Sequence, residues 1–193
     1  MGSDTDGDWV EDPTATDYAR AARQFLAARN YQHAVIQVAA ALSLQPQDEE
    51  LLALCDRILA EARSPLLLTP EGGDCFFGLL AVRARTLARL GRIAEALDRL
   101  FDAVLFRPSV SYLPWAEAWI RSDKGARAVD PESLAARCLE LERAAATAGL
   151  DDDTRRNLAA AQRIAARVGE VKPTPSLAAS CERLGAVLGG NSH

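Results

Sequence analysis

The chain has 193 residues, 49 % of them hydrophobic and 25 % charged, which is the balance of an ordinary globular domain. Its net charge of −5 equals the charge of the carboxylates in residues 1–12, so the rest of the chain is close to neutral. A near-neutral body argues against nucleic-acid binding, and the lack of a long apolar run or a signal peptide argues against membrane insertion and predicts a cytoplasmic location.

Residues 1–14 are acidic and polar, and we expect them to be a disordered tail. Trp9 and Val10 are the only large apolar residues in this segment. One interpretation is a solubilising terminus. The other is a segment that occupies a basic groove of the protein or presents Trp9 to a partner.

A helical pattern follows the tail and continues to Pro46. The first helix carries a stripe through Ala22, Phe25 and Arg29, and Tyr31 opens the stripe of a second helix. Only one or two residues separate the two helices. Such a short connection predicts an antiparallel hairpin.

The same pattern returns 62 residues later, with small residues matching small ones and large residues matching large ones. The matched pairs are Ala22 and Ala84, Phe25 and Leu87, Tyr31 and Ile93, Ala34 and Ala96, Ala41 and Ala103, and Pro46 and Pro108. Six matches at one offset indicate an internal repeat. Residues 15–46 and 77–108 are therefore predicted to be two copies of one hairpin.

The second copy reads ARTLARLGRIAEALDRL from Ala84 to Leu100, followed by Ala103 and Pro108. Alanine at the helix crossings, larger side chains beside them and proline at the exit resemble the tetratricopeptide repeat. The resemblance implies an all-α fold, a right-handed α-solenoid of antiparallel helix hairpins with eight or nine helices. It also implies a concave surface that binds other proteins.

The 62-residue offset does not fit the family spacing of about 34 residues, either once or twice. A helix is predicted over 48–62, as the first helix of a shortened middle repeat spanning 47–74. Its second helix is missing or replaced by a loop over Ser64–Asp74, which contains two prolines and two glycines. The pattern does not decide whether the helix over 75–90 keeps the alternating order or starts a new hairpin.

Three aromatic residues after Pro108 have the spacing of one helical face, namely Tyr112, Trp115 and Trp119. We expect this face to pack under the following helices, although an exposed docking surface is an alternative. Gly125 is expected to end the pattern.

The region 111–188 is predicted to hold further helices that are degenerate repeats, with the last helix as a cap. Three of these helices have start signals, in which an acid or hydroxyl residue precedes the first turn. The signals are Asp130-Pro131, Asp151-Asp152-Asp153 and Thr174-Pro175. Residues 189–193 are expected to be a flexible C-terminus.

The sequence offers little that indicates catalysis. No spacing of histidine, cysteine or acidic residues matches a metal site, and no nucleophile elbow or phosphate-binding loop is present. We therefore expect no catalytic residue, metal or cofactor, and we interpret His33 as a surface residue. The four cysteines are expected to be reduced thiols packed as small hydrophobic residues.

Four arginines are candidate binding residues. In the tetratricopeptide repeat the first helix of each hairpin lines the concave groove, and placing this chain on that pattern directs Arg23, Arg57, Arg85 and Arg89 toward it. Guanidinium groups pair with carboxylates through two hydrogen bonds, so the groove is predicted to bind an acidic peptide or a chain-terminal carboxylate. The alternative is that these arginines are ordinary surface residues paired with neighbouring glutamates.

The favoured function is a non-enzymatic protein–protein interaction module, such as a scaffold, adaptor or chaperone. The alternative is a regulatory or substrate-recruiting subunit or domain of an enzyme, or of a secretion or assembly complex. Lys124 and Lys172 are the only lysines among 22 basic residues, and this heavy use of arginine is typical of a GC-rich bacterial genome. The partner and the oligomeric state stay open.

Overall fold

The computed structural model describes residues 12–190, which form ten α-helices and no β-strand, so the all-α prediction is confirmed for this part of the chain. Consecutive helices pack against each other in pairs. The helices are α1 (Ala15–Ala27), α2 (Tyr31–Leu44), α3 (Glu49–Leu66), α4 (Pro70–Arg89), α5 (Ile93–Phe106), α6 (Pro114–Trp119), α7 (Asp123–Ala128), α8 (Pro131–Ala148), α9 (Asp152–Val171) and α10 (Pro175–Gly189). The predictions for residues 1–11, which include Trp9, and for 191–193 lie outside the described residues.

The two hairpins of the internal repeat have matching ends. α1 and α4 end 62 residues apart, and α2 and α5 begin and end 62 residues apart. The turns also match, because the Asn30 N–H donates to the Phe25 carbonyl at 2.8 Å and the Arg92 N–H donates to the Leu87 carbonyl at 3.0 Å. The sequence repeat therefore corresponds to a repeat of backbone geometry.

Arg29 and Gly91 occupy equivalent positions in the two turns, and both have a positive φ, 57° and 76°. Arg29 was predicted to lie on the stripe of α1, but it follows the end of that helix. The left-handed conformation is unfavourable for a residue with a Cβ atom and free for glycine, which explains why glycine stands at the second turn.

Replacing Arg29 by glycine should stabilise the fold by about 1 kcal/mol, because it relieves this backbone strain. Gly91→Ala should destabilise it by about the same amount, since a Cβ at Gly91 would meet no atom within 4 Å and only the backbone effect is left. Urea unfolding of both variants measures the two changes. Equal signs for the two substitutions would contradict this assignment.

The predicted loop over Ser64–Asp74 is wrong. α3 continues through Pro65 to Leu66, and α4 begins at Pro70, so only three residues connect the two helices. The Thr69 side chain caps α4 by accepting from the Gly72 N–H at 3.1 Å. A Cβ at Gly72 would lie 2.3 Å from the Leu66 carbonyl oxygen, so glycine allows this tight turn. The residues that indicated a loop form the first turn of a helix.

α3 is an additional helix between the two copies of the hairpin. It packs against α2 and α4, which also contact each other, and α4 pairs with α5 as α1 pairs with α2. α4 therefore starts a new hairpin, and the offset of 62 residues arises from one inserted helix and a longer α4. Ala22, Ala34, Ala84 and Ala96 are all fully buried, at 0 % exposure.

The prediction of eight or nine helices was too low by the short helix α7. Gly125 was predicted to end a helical pattern, but it lies in the first turn of α7. There its N–H donates to the Ser122 hydroxyl at 3.1 Å. A Cβ at Gly125 would lie 2.1 Å from the Trp119 carbonyl oxygen. Glycine here permits close contact between α6 and α7.

The predicted face of Tyr112, Trp115 and Trp119 forms only in part. Tyr112 precedes α6, and both Tyr112 and Trp119 pack against the core, whereas Trp115 is 40 % exposed. Within α6 the buried residue is Ala116. The expectation that the aromatic residues pack against the rest of the fold therefore holds for Tyr112 and Trp119 and fails for Trp115.

The last three long helices pack against one another, and α6 and α7 pack on α9. α8 also contacts α5 and so joins this part to the second hairpin. Side chains of α5 to α10 form one hydrophobic core, and those of α1 to α4 form another. Ala84 of α4 belongs to the former and Ala103 of α5 to the latter, so the α4–α5 hairpin connects the two cores.

Candidate partner-binding surfaces

A groove of about 660 Å³ lies between α3 and α5, with α4 as its floor and α8 at one side. We call it the α4 groove. Its volume is within the range of ligand-binding sites, roughly 300–1,000 Å³. The lining residues are Asp56, Leu59, Ala60, Arg63, Phe76, Leu80, Arg99, Asp102, Leu105, Phe106 and Arg137.

The floor of the α4 groove is apolar because of the spacing along α4. Phe76 and Leu80 are four residues apart and so lie on one face of the helix. Phe106, at the end of α5, is 49 % exposed and is one of the few large apolar side chains that face solvent in the described part of the chain. An exposed aromatic ring in a concave site is typical of a binding surface.

The walls of the groove carry three arginines, and these differ in whether carboxylates of the protein already neutralise them. Arg137 contacts Asp102 at 3.0 Å, Glu140 at 3.2 Å and Asp98 at 3.6 Å. Burial lowers the pKa of the Arg137 guanidinium, but these carboxylates outweigh that effect and raise its pKa above the ordinary value. Arg99 contacts Asp102 at 3.3 Å. These two arginines are already neutralised by carboxylates of the protein.

Arg63 is different from the other two arginines of the groove. Its guanidinium carbon lies 5.5 Å from the centre of the Phe106 ring, in a cation–π contact. No carboxylate in residues 12–190 lies within 4.0 Å of its nitrogen atoms. Arg63 therefore offers the groove a cationic group that is free to pair with a ligand.

A buried ion pair supports the wall of the groove from behind. Arg83 is only 4 % exposed, and its Nε and Nη2 donate to the two carboxylate oxygens of Asp56 at 3.0 and 2.8 Å. Its Nη1 is buried without a hydrogen-bond partner among the described residues. The pair joins α3 to α4 and fixes the wall against the floor.

None of the four predicted arginines lines the α4 groove. Arg23 is 3.7 Å from Glu50, and Arg57 donates to Glu61 at 2.7 Å on its own helix. Both contacts agree with the alternative of surface arginines paired with glutamates. Arg85 and Arg89 are brought together, and both line one small cavity of about 90 Å³ beside α2.

Arg85 also contacts Trp115, which was predicted to pack under the following helices. Its guanidinium carbon lies 5.7 Å from the centre of the exposed Trp115 ring. The centre of the Tyr112 ring lies 5.0 Å from that of Trp115. We call Arg85, Arg89 and Trp115 the Arg85 surface.

Cysteine and histidine side chains do not form a reactive cluster in the described residues. Burial raises the pKa of the Cys55 thiol to about 12 and that of the Cys138 thiol to about 12, so both stay protonated. His33 is exposed, as predicted, and its Nδ1 is 2.9 Å from the Asn30 side chain. No three metal-ligating side chains of residues 12–190 converge on one point.

Comparisons with protein-family models, with curated protein sequences and with solved structures found no match to this chain. Among the helices of residues 12–190, none combines the length and the apolar character that a membrane crossing requires.

Proposed function

We propose that this protein is a non-enzymatic interaction module that binds a short segment of a partner protein in the α4 groove. The observation that carries the proposal is the pairing of an exposed Phe106 ring with the carboxylate-free Arg63 above it. Aromatic and arginine side chains are enriched among residues that dominate binding energy. A ligand that packs an apolar group on Phe106 and pairs a carboxylate with Arg63 uses both.

The dimensions of the groove favour a short segment. Asp56 and Arg63 mark its extent along α3, and seven residues of helix rise about 10 Å. This length accommodates about three residues of an extended chain. The proposed ligand is therefore an apolar side chain with an acidic residue or a chain-terminal carboxylate nearby.

We also propose that the stacked hairpins belong to a right-handed α-solenoid of the tetratricopeptide type. Support comes from the two copies of the hairpin, which share their helix ends, their turn hydrogen bonds and the buried alanines at their crossings. In this arrangement the inserted α3 forms one wall of the groove. In a regular array of such repeats, a helix that belongs to a repeat would form that wall.

Selection of peptides from a random displayed library with the purified protein tests the binding proposal. Selected peptides should combine large apolar and acidic residues. Arg63→Glu should weaken their binding at least tenfold, because a hydrogen bond between charged groups contributes about 1.5–3 kcal/mol. Phe106→Ala should have an effect of similar size, and calorimetry measures the Kd of each variant.

Arg57→Glu is the matched control, because Arg57 lies on the same helix and is exposed but does not line the groove. Its Kd should change by less than about twofold, as expected for an exposed charge outside the site.

A second arm of the experiment uses Arg85→Glu with Arg89→Glu, the two predicted arginines that lie together. Loss of binding in that arm but not with Arg63→Glu would move the site to the Arg85 surface, and the absence of any selected peptide would contradict the binding function.

A further inference from the structure

The Arg85 surface lies on the opposite side of α4 from the α4 groove. Arg89 follows Leu80, part of the groove floor, by nine residues, which is two and a half turns of helix. Neither Arg85 nor Arg89 has a carboxylate of residues 12–190 within 4.0 Å, although Arg23, at the position equivalent to Arg85 in the first hairpin, is paired with Glu50. Two cations one turn apart thus lack a carboxylate partner among residues 12–190, and Arg85 lies over the ring of the exposed Trp115.

The start of α1 lies close to this surface. Ala15 and Gln45 line one small cavity, while Leu42 and Ser43 line the cavity shared by Arg85 and Arg89. Gln45 follows Leu42 by three positions, or about 5 Å along α2. The chain that leads into α1 and the two arginines therefore lie at the same end of α2, on which both α1 and α4 pack.

The residues that precede α1 have the complementary chemistry. Residues 4–12 carry five carboxylates, no basic residue, and the apolar pair Trp9 and Val10. Residues 4–12 would extend about 30 Å at full stretch, which is more than the roughly 20 Å between two helices that pack on a common third helix, as α1 and α4 do on α2. Because the segment is attached to the fold, its effective concentration at the surface is in the millimolar range even if each contact is weak.

We propose that residues 4–12 dock on the Arg85 surface of the same molecule, with their carboxylates pairing with Arg85 and Arg89 and with Trp9 packing against Trp115. The α4 groove offers this segment only Arg63 as an arginine without a carboxylate partner, because Arg99 and Arg137 are paired with carboxylates of the fold, whereas the Arg85 surface offers two. The docked segment leaves the groove open, so this inference is independent of the ligand that the groove binds.

Nuclear magnetic resonance of the full chain labelled with nitrogen-15 tests the proposal through the indole N–H signals of its three tryptophans. In the Arg85→Gln, Arg89→Gln variant, the Trp9 signal should move to its position in a free synthetic peptide of residues 1–12. The Trp115 signal should shift whether or not the segment is docked, because Arg85 lies over its ring, whereas that of Trp119, which packs in the core, should stay. One molar NaCl should reproduce the movement of Trp9, because it shortens the screening length to about 3 Å.

Arg63→Gln is the control, because it removes the unpaired cation of the α4 groove. If the Trp9 signal responds to this substitution instead, the segment occupies the groove and the proposal is wrong. If it responds to neither variant and coincides with the free peptide from the outset, the segment is not docked and the proposal is also wrong. A response that depends on protein concentration would assign the surface to the segment of a second copy and overturn intramolecular docking.

Discussion

Asn157→Leu should destabilise the fold by about 4 kcal/mol, which is among the largest effects we expect from one substitution. Asn157 is fully buried in α9, and its Nδ2 donates to the carbonyl oxygens of Pro108 and Val110 at 2.9 and 2.7 Å. Its Oδ1 accepts from the Leu113 N–H at 3.2 Å. Leucine has a similar shape but leaves the Pro108 carbonyl and the Leu113 N–H without partners, whereas the Val110 carbonyl still accepts from the Tyr112 N–H at 3.1 Å. Each group left without a partner costs about 1–3 kcal/mol. Urea unfolding followed by circular dichroism measures the loss.

Thr154→Val on the same helix is the control. Thr154 is 1 % exposed, and its hydroxyl is buried beside the Asp151 carboxylate, whose pKa it lowers, without a regular hydrogen bond among the described residues. Valine has nearly the same shape and helix propensity and removes that hydroxyl, so stability should change by less than about 1 kcal/mol. A loss below about 1 kcal/mol for Asn157→Leu would show that water replaces the three hydrogen bonds and that Asn157 does not anchor the connection between α5 and α6.

The buried faces of the helices could be predicted because periodicity reports burial directly. The alanines that mark the predicted repeat lie on these faces, and Ala22, Ala41, Ala96 and Ala103 are all at 0 % exposure. Helix starts could also be predicted, since an acidic or hydroxyl side chain that caps the first turn is visible in the sequence. Asp130, at one predicted start, accepts from the Ser133 N–H at 2.8 Å.

Helix starts that contain glycine could not be predicted. Gly72 and Gly125 both lie three residues after a capping hydroxyl, and in both cases a Cβ would collide with the carbonyl oxygen of a preceding helix. Glycine at such a position indicates close approach of two backbones, but in the sequence alone it looks like the end of a helix. The predicted loop and the missed helix have this one cause.

The candidate site was harder to predict than the fold. The α4 groove is built from four helices, and no spacing along the chain brings Arg63 of α3 next to Phe106 of α5. The choice of Arg23, Arg57, Arg85 and Arg89 assumed a regular array of repeats. The inserted α3 breaks that regularity, so the first helices of the hairpins do not line the α4 groove together. Arg85 and Arg89 came together only because they lie one turn apart on the same helix.

Asp56→Ala should destabilise the fold by about 3 kcal/mol, because it leaves the buried guanidinium of Arg83 without its carboxylate. We expect the lower part of the range for broken buried ion pairs, since the Asp56 side chain is 43 % exposed and water can partly replace it. No second side chain of the described residues can take over from Asp56, and the Nη1 of Arg83 lacks a hydrogen-bond partner even with Asp56 present. Urea unfolding again gives the change in free energy.

Two further variants separate the cost of an unpaired buried charge from the simple loss of a salt bridge. Glu61→Ala removes the partner of Arg57, which is exposed, and should cost less than about 1 kcal/mol. Arg83→Met, added to Asp56→Ala, removes the buried cation and should recover most of the lost stability, because apolar side chains often replace buried ion pairs at no cost. If Asp56→Ala costs no more than Glu61→Ala, Arg83 reaches solvent once the carboxylate is gone, and the wall of the α4 groove moves independently of its floor.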